Sequence, residues 1–151
     1  MKRKKLLSCL LTCVVLMGFA SAPVQAVEVS DHVRLSQLEY ESVDRYETWR
    51  DQAITRVTEN VNVTIGADGI VASEDRFLLD AGETVEISCT YSPAFAEVRF
   101  GLLDEDGVFY SVKATGGSIR KTISVDVRGK YSFCVKNNSS HEITVRGFVY
   151  Y

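Results

Sequence analysis

Cys134 and His141 are the residues of this chain that come nearest to a nucleophile and its base. They stand seven positions apart, on either side of a polar turn, so neighbouring strands would bring thiol and imidazole together as a hydrolytic dyad. Nothing that such a dyad needs accompanies it. There is no Gly-x-Ser-x-Gly turn, no oxyanion loop and no third residue to orient the histidine. The other histidine of the processed chain, His32, stands alone near its start. Asp104, Glu105 and Asp106 precede Gly107 and could offer oxygens to Ca²⁺, but the distal bidentate Glu of a calcium loop is missing. That run reads as a solvated hairpin tip. Histidines and cysteines at zinc-ligand spacing are absent. The residues therefore imply no catalytic group, no metal and no cofactor.

Cys89 and Cys134 have a second possible role, as a disulfide in an oxidising compartment. Strand parity complicates that pairing. Cys89 continues the apolar row Val85, Ile87, Cys89, Tyr91, whereas Cys134 alternates against Tyr131, Phe133 and Val135. A bridge requires a bulge that turns Cys134 inward; without one, Cys89 is a small core residue and Cys134 a thiol on the outer face.

The same parity argument yields candidate binding residues. With Val98, Phe100 and Leu102, Val108, Tyr110 and Val112, and Ile143, Val145 and Val149 facing inward, Phe109, Phe148 and Tyr150 face outward with Arg99, Lys113 and Arg146. Aromatic rings beside cationic side chains on a flat sheet suit a glycan or a protein partner. The competing expectation is that an N-terminal helix lies over these residues, packing Tyr46 and Trp49 there.

The elements that must position these residues are mostly strands. From Thr55 onward the period is two, and each short apolar run ends in a turn signal. Phe77 to Leu79 meets Ala81-Gly82-Glu83; Thr84 to Tyr91 meets Ser92-Pro93; Glu97 to Leu103 meets Asp104-Glu105-Asp106-Gly107. Val108 to Ala114, Ser118 to Val127, Lys130 to Lys136 and Glu142 to Tyr150 complete the series. This predicts an antiparallel β-sandwich, Ig-like or jelly-roll-like, over residues 54–151. Before it, Leu35, Leu38, Tyr46, Trp49, Ala53 and Val57 fall three or four apart, and Ser36 with Glu39 fits a capping box. That spacing predicts one amphipathic helix over about Ser36 to Ala53, within a helical segment of residues 27–53.

The first 26 residues read as a secretory signal peptide. Lys2, Arg3, Lys4 and Lys5 precede an apolar run from Leu6 to Phe19, and small residues follow up to Ala26. Pro23 disfavours cleavage after Ala22, so the expected bond is Ala26–Val27. Cys9 and Cys13 lie too early in the apolar run for a lipobox. Of 17 basic and 20 acidic side chains the leader removes four basic ones, leaving 13 against 20, a net charge of −7. Such a chain offers no electrostatic case for nucleic acid or an anionic membrane surface. A secreted, extracellular protein is expected; its oligomeric state is not legible.

Three stretches also carry a resemblance. Phe77-Leu78-Leu79-Asp80-Ala81-Gly82-Glu83-Thr84-Val85 leads into a strand, Glu97 to Gly107 makes a hairpin, and Gly129-Lys130-Tyr131-Ser132-Phe133-Cys134-Val135-Lys136-Asn137 opens the last one. Together they resemble the small β-sandwich modules of secreted bacterial proteins, such as the pre-peptidase C-terminal type, and stand-alone secreted proteins of Gram-positive bacteria. The resemblance spans residues 75–151 and implies a fold and an accessory or binding role, with no functional residue carried over. The expectation is a secreted, non-catalytic module that binds a cell-surface glycan or a secreted protein. The alternative is an enzyme inhibitor presenting Ser92-Pro93-Ala94-Phe95-Ala96, or a small hydrolase-like protein.

Overall fold

Side chains that alternate between apolar and polar can bury one face of a strand, and two such faces close a core between sheets. A computed structural model of the chain describes residues 31–50 and 58–151. The expected leader, Ala53 at the end of the expected helix and Val57 of its apolar stripe lie outside these residues. The described strands are β1 (His32–Arg34), β2 (Glu39–Ser42), β3 (Glu47–Trp49), β4 (Thr58–Ile65), β5 (Ile70–Ser73), β6 (Phe77–Leu79), β7 (Thr84–Ser92), β8 (Val98–Leu103), β9 (Val108–Ala114), β10 (Ser118–Ser124), β11 (Gly129–Asn137) and β12 (Ile143–Tyr150).

They form two sheets. One has five strands in the order β1-β10-β7-β12-β4. The other has seven, ordered β2-β9-β8-β11-β5-β3, with β6 also paired to β11. Ten strand pairings are present, and all are antiparallel except β1 with β10 and β3 with β5. β5 and β6 pair with different stretches of β11, and the register slips by two residues between them, a bulge that interrupts what is otherwise one edge.

The core lies between the sheets. Val61, Ile65, Val85, Ile87, Tyr91, Ile123, Ile143, Val145 and Val149 come from the five-stranded sheet; Val71, Val98, Phe100, Leu102, Tyr131, Phe133 and Val135 come from the other. Apart from Val71 of β5, these belong to the inward rows that alternation predicts, whereas the expected inward row Val108, Tyr110 and Val112 of β9 stays half-buried.

The N-terminal helix is absent: among the described residues, 31–50 contain one 3-10 turn, Leu35–Gln37, and three strands. Leu35 and Leu38 do share a side, because a 3-10 turn also places residues i and i+3 together. The capping box of Ser36 and Glu39 does not form; the Ser36 amide donates to Asp126 Oδ2 at 2.8 Å, and Glu39 pairs with Arg99. Trp49 reaches the core edge-on to Phe133, with ring centroids 5.7 Å apart. It does not cover an outer face.

β2 and β3 occupy opposite edges of the seven-stranded sheet, so residues 43–46 carry the chain from one edge to the other. Val43 marks the route. It clusters with Ala72 of β5, Leu103 of β8, Phe109 of β9 and Cys134 of β11, all on the outward side of that sheet. Its amide donates to the Gly107 carbonyl at 2.8 Å. The Lys136 ammonium meets both carboxylate oxygens of Glu41, at 2.8 and 2.6 Å, and tethers β2 to β11 beside this strap.

Candidate functional site

The two sheets treat their outer faces differently. Over the seven-stranded sheet the Val43 strap makes a second small core, so Phe109 points outward, as parity requires, yet is fully buried. Arg99 and Lys113 share this face, and both are paired: Arg99 with Glu39 and the Ser111 hydroxyl, Lys113 with Glu97 at 2.7 Å. Lys113 and Asn138 together hold the Glu97 carboxyl below its ordinary range. Phe109 is therefore covered and Arg99 already paired, so the strap stands where an open face was expected. Sequence parity placed them on the outside but could not see the strap.

The five-stranded sheet keeps its outer face open among the described residues. Phe148 and Tyr150 lie two apart on β12, at 47 % and 41 % exposure, with ring centroids 6.3 Å apart and planes tilted by 32°. Arg146 precedes them on the same side and is exposed. Pairing builds a grid around this row. Arg146 stands opposite Asn62 of β4 and Thr90 of β7; Phe148 stands opposite Asn60 and Ser88; Tyr150 stands opposite Thr58 and Glu86. Beyond β7, Ser118 and Arg120 of β10 pair with Thr90 and Ser88. Short hydroxyl and amide side chains thus flank two rings and a guanidinium, and a shallow groove of about 770 Å³ runs past Arg146 and Phe148.

Gly147, between Arg146 and Phe148, faces the core, where a Cβ would come within 2.2 Å of the Ser88 carbonyl oxygen. Its bare Cα lets β12 and β7 close up beneath the exposed row. The predicted sextet is thereby split: Arg146, Phe148 and Tyr150 share one open face, while Phe109, Arg99 and Lys113 belong to the opposite surface. Asn60, Asn62, Ser88, Thr90 and Arg120 escape a reading by residue type, because only strand order places them beside the aromatics.

The cysteines settle in separate environments. Both are free and buried. Cys89 faces the core between the sheets, and Cys134 faces the strap on the far side of β11, so the sheet itself stands between them. No bulge turns Cys134 inward, and no disulfide forms. Burial pushes the Cys89 thiol up to about 12 and raises that of Cys134 still further, with the nearby Glu41 charge adding to the effect. A thiol held protonated in this way is no nucleophile. His141 sits elsewhere, its Nδ1 3.3 Å from the Ser140 hydroxyl and its ring edge-on to Phe95. The Cys134–His141 dyad does not exist in this fold.

At the hairpin tip the Asp104 carboxylate accepts from the amides of Asp106 and Val108, at 2.9 and 2.8 Å. Its oxygen closes the turn. Among the described residues no group of three or more His, Cys, Asp or Glu side chains is placed to hold a metal ion. The loop Ser92-Pro93-Ala94-Phe95-Ala96 does protrude, with Phe95 74 % exposed.

Fold and face together define a two-sheet β-sandwich with one open, aromatic-bearing side. The sequence matches no protein-family model and no curated protein. Two solved structures are similar in fold. A periplasmic inhibitor of g-type lysozyme from Aeromonas hydrophila has a TM-score of 0.49 and 12 % identity, over 72 % of this chain and 98 % of its own. A pre-peptidase C-terminal domain of a Bacillus anthracis collagenase has a TM-score of 0.44 and 13 % identity, over 72 % and 98 %. Among the described residues no helix is long and apolar enough to cross a membrane.

Proposed function

We propose that this chain is a secreted, non-catalytic binding module that takes a glycan on the outer face of its five-stranded sheet. The observation that carries the reading is the adjacent exposed pair Phe148 and Tyr150, set in a field of hydroxyl and amide side chains on rigid, paired strands. An aromatic face carries partial negative charge and suits the slightly positive C–H edges of a sugar ring. Asn, Ser and Thr can each both donate to and accept from sugar hydroxyls. A sheet holds these groups in fixed register, so little ordering cost falls on binding. Secretion is supported by the leader-like residues 1–26.

A second reading, an inhibitor that inserts its β7–β8 loop into a partner's cleft, is favoured by the exposure of Phe95. One experiment separates the two. Residues 27–151 are applied to immobilised cell-wall and extracellular polysaccharides beside Phe148→Ala/Tyr150→Ala and Phe95→Ala variants. Glycan binding on the sheet requires that the double variant lose retention at least tenfold while Phe95→Ala matches the parent. Equal retention of all three proteins, or none by the parent, removes the glycan reading.

A further inference from the structure

We infer that the glycan is acidic, with a carboxylate-bearing sugar seated on Arg146 and its neighbours stacked on Phe148 and Tyr150. This rests on the reading above and specifies its ligand class. Arg146, Phe148 and Tyr150 occupy alternate positions of one strand, so their side chains follow a straight track with steps of about 7 Å. The ligand is accordingly an extended chain lying along β12.

Charge then selects its chemistry. Among the described residues Glu86 is the only acidic side chain on the outer rows of this sheet, and it is neutralised by Arg120, with Arg120 Nη2 3.1 Å and Nε 3.2 Å from its Oε1. Arg146 stands between Asn62 and Thr90, both uncharged, and has no ion-pair partner among the described residues. In a processed chain that carries −7, this exposed guanidinium is left without a counter-charge at the centre of the face. A guanidinium offers two parallel N–H groups matched to the two oxygens of a carboxylate, and Asn62 and Thr90 flank it with further polar groups.

The grid also sets direction. Glu86 lies opposite Tyr150 and already engages Arg120, so that guanidinium is not available to a carboxylate at that end of the track. The acidic unit therefore sits at Arg146 and the less charged part of the chain on the rings.

The test uses titration calorimetry with hexasaccharides of galacturonate, alginate and hyaluronan, each beside its carboxyl methyl ester. Esterification keeps rings and linkages and removes the charge. At least one acid form is expected to bind about tenfold more tightly than its ester. Arg146→Gln should weaken the acid form about tenfold more than the ester and so abolish that preference, and Arg146→Lys should restore part of it. If every ester binds as tightly as its acid and Phe148→Ala still weakens both, the acidic class is wrong and the aromatic platform stands. If no acid or ester binds, or Phe148→Ala has no effect on binding, the platform fails and this inference with it.

Discussion

Single residues decide what this surface is not. Cys134 resembles a nucleophile in composition and is a packed methyl-sized group in the fold, sealed beneath Val43. Its outward direction was legible from alternation with Phe133 and Val135; its burial was not, because the covering residue lies 91 positions earlier in the chain. Intact mass of protein from oxidising medium should be the same with and without reductant, and both thiols should label only on unfolding. A two-hydrogen deficit restored by reductant would contradict the placement on opposite sides of β11. The raised thiols also set an alkaline limit. An unfolded Cys89 titrates near its ordinary 9.0, whereas the folded one holds its proton up to about 12. Across that window the unfolded chain binds fewer protons, so stability is full below about pH 9 and declines as pH rises toward 12. Cys134, Tyr110 and Tyr131, all raised by burial, act in the same direction. Urea midpoints between pH 8 and 11 should fall with pH, and Cys89→Ala/Cys134→Ala should flatten that slope without abolishing it.

At the scale of elements, alternation disclosed nearly every strand after residue 58 and the side each turns to the core. It missed β5 and could not give strand order, since pairing between β10, β7, β12 and β4 depends on loops that reveal no destination. The N-terminal segment misled for a specific reason. Leu35, Leu38 and Trp49 reach the inner core while Val43 reaches the outer cluster, so a chain that changes sides imitates helical spacing. Asn137 is another feature that only the fold explains. Fully buried, its amide donates to the carbonyls of Gly66 and His141, at 2.9 and 2.6 Å, and its oxygen accepts from the Ser139 amide at 3.0 Å. It ties the β4–β5 and β11–β12 turns together at one end of the sandwich. The strap makes its own prediction. Val43→Ala should cost about 2 kcal/mol in urea unfolding, from lost burial and the cavity left behind. It should also speed labelling of Cys134 but not of Cys89. Unchanged labelling of Cys134 would mean that the strap does not cover it.

On the scale of the molecule, the two faces divide their duties. The strapped side of the seven-stranded sheet is closed by ion pairs and a minor core, whereas the five-stranded side stays open among the described residues. Residues 31–50 do more than close one face, because they supply three of the four sheet edges, β4 being the fourth. β1 lies against β10, β2 against β9 and β3 against β5, each only three or four residues long. Short terminal strands of this kind leave little ladder for another chain to join. Deleting residues 27–50 from a protein of residues 27–151 should therefore yield a species that self-associates in light scattering while the undeleted protein does not; a monodisperse truncated protein would refute the capping role. The strap itself crosses the surface, and one proteolytic cut in it would sever β2 from β3 while most of the sandwich stood. Such a nick would turn a self-contained module into a template for strand addition, with aggregation, rather than unfolding, as the first sign of damage.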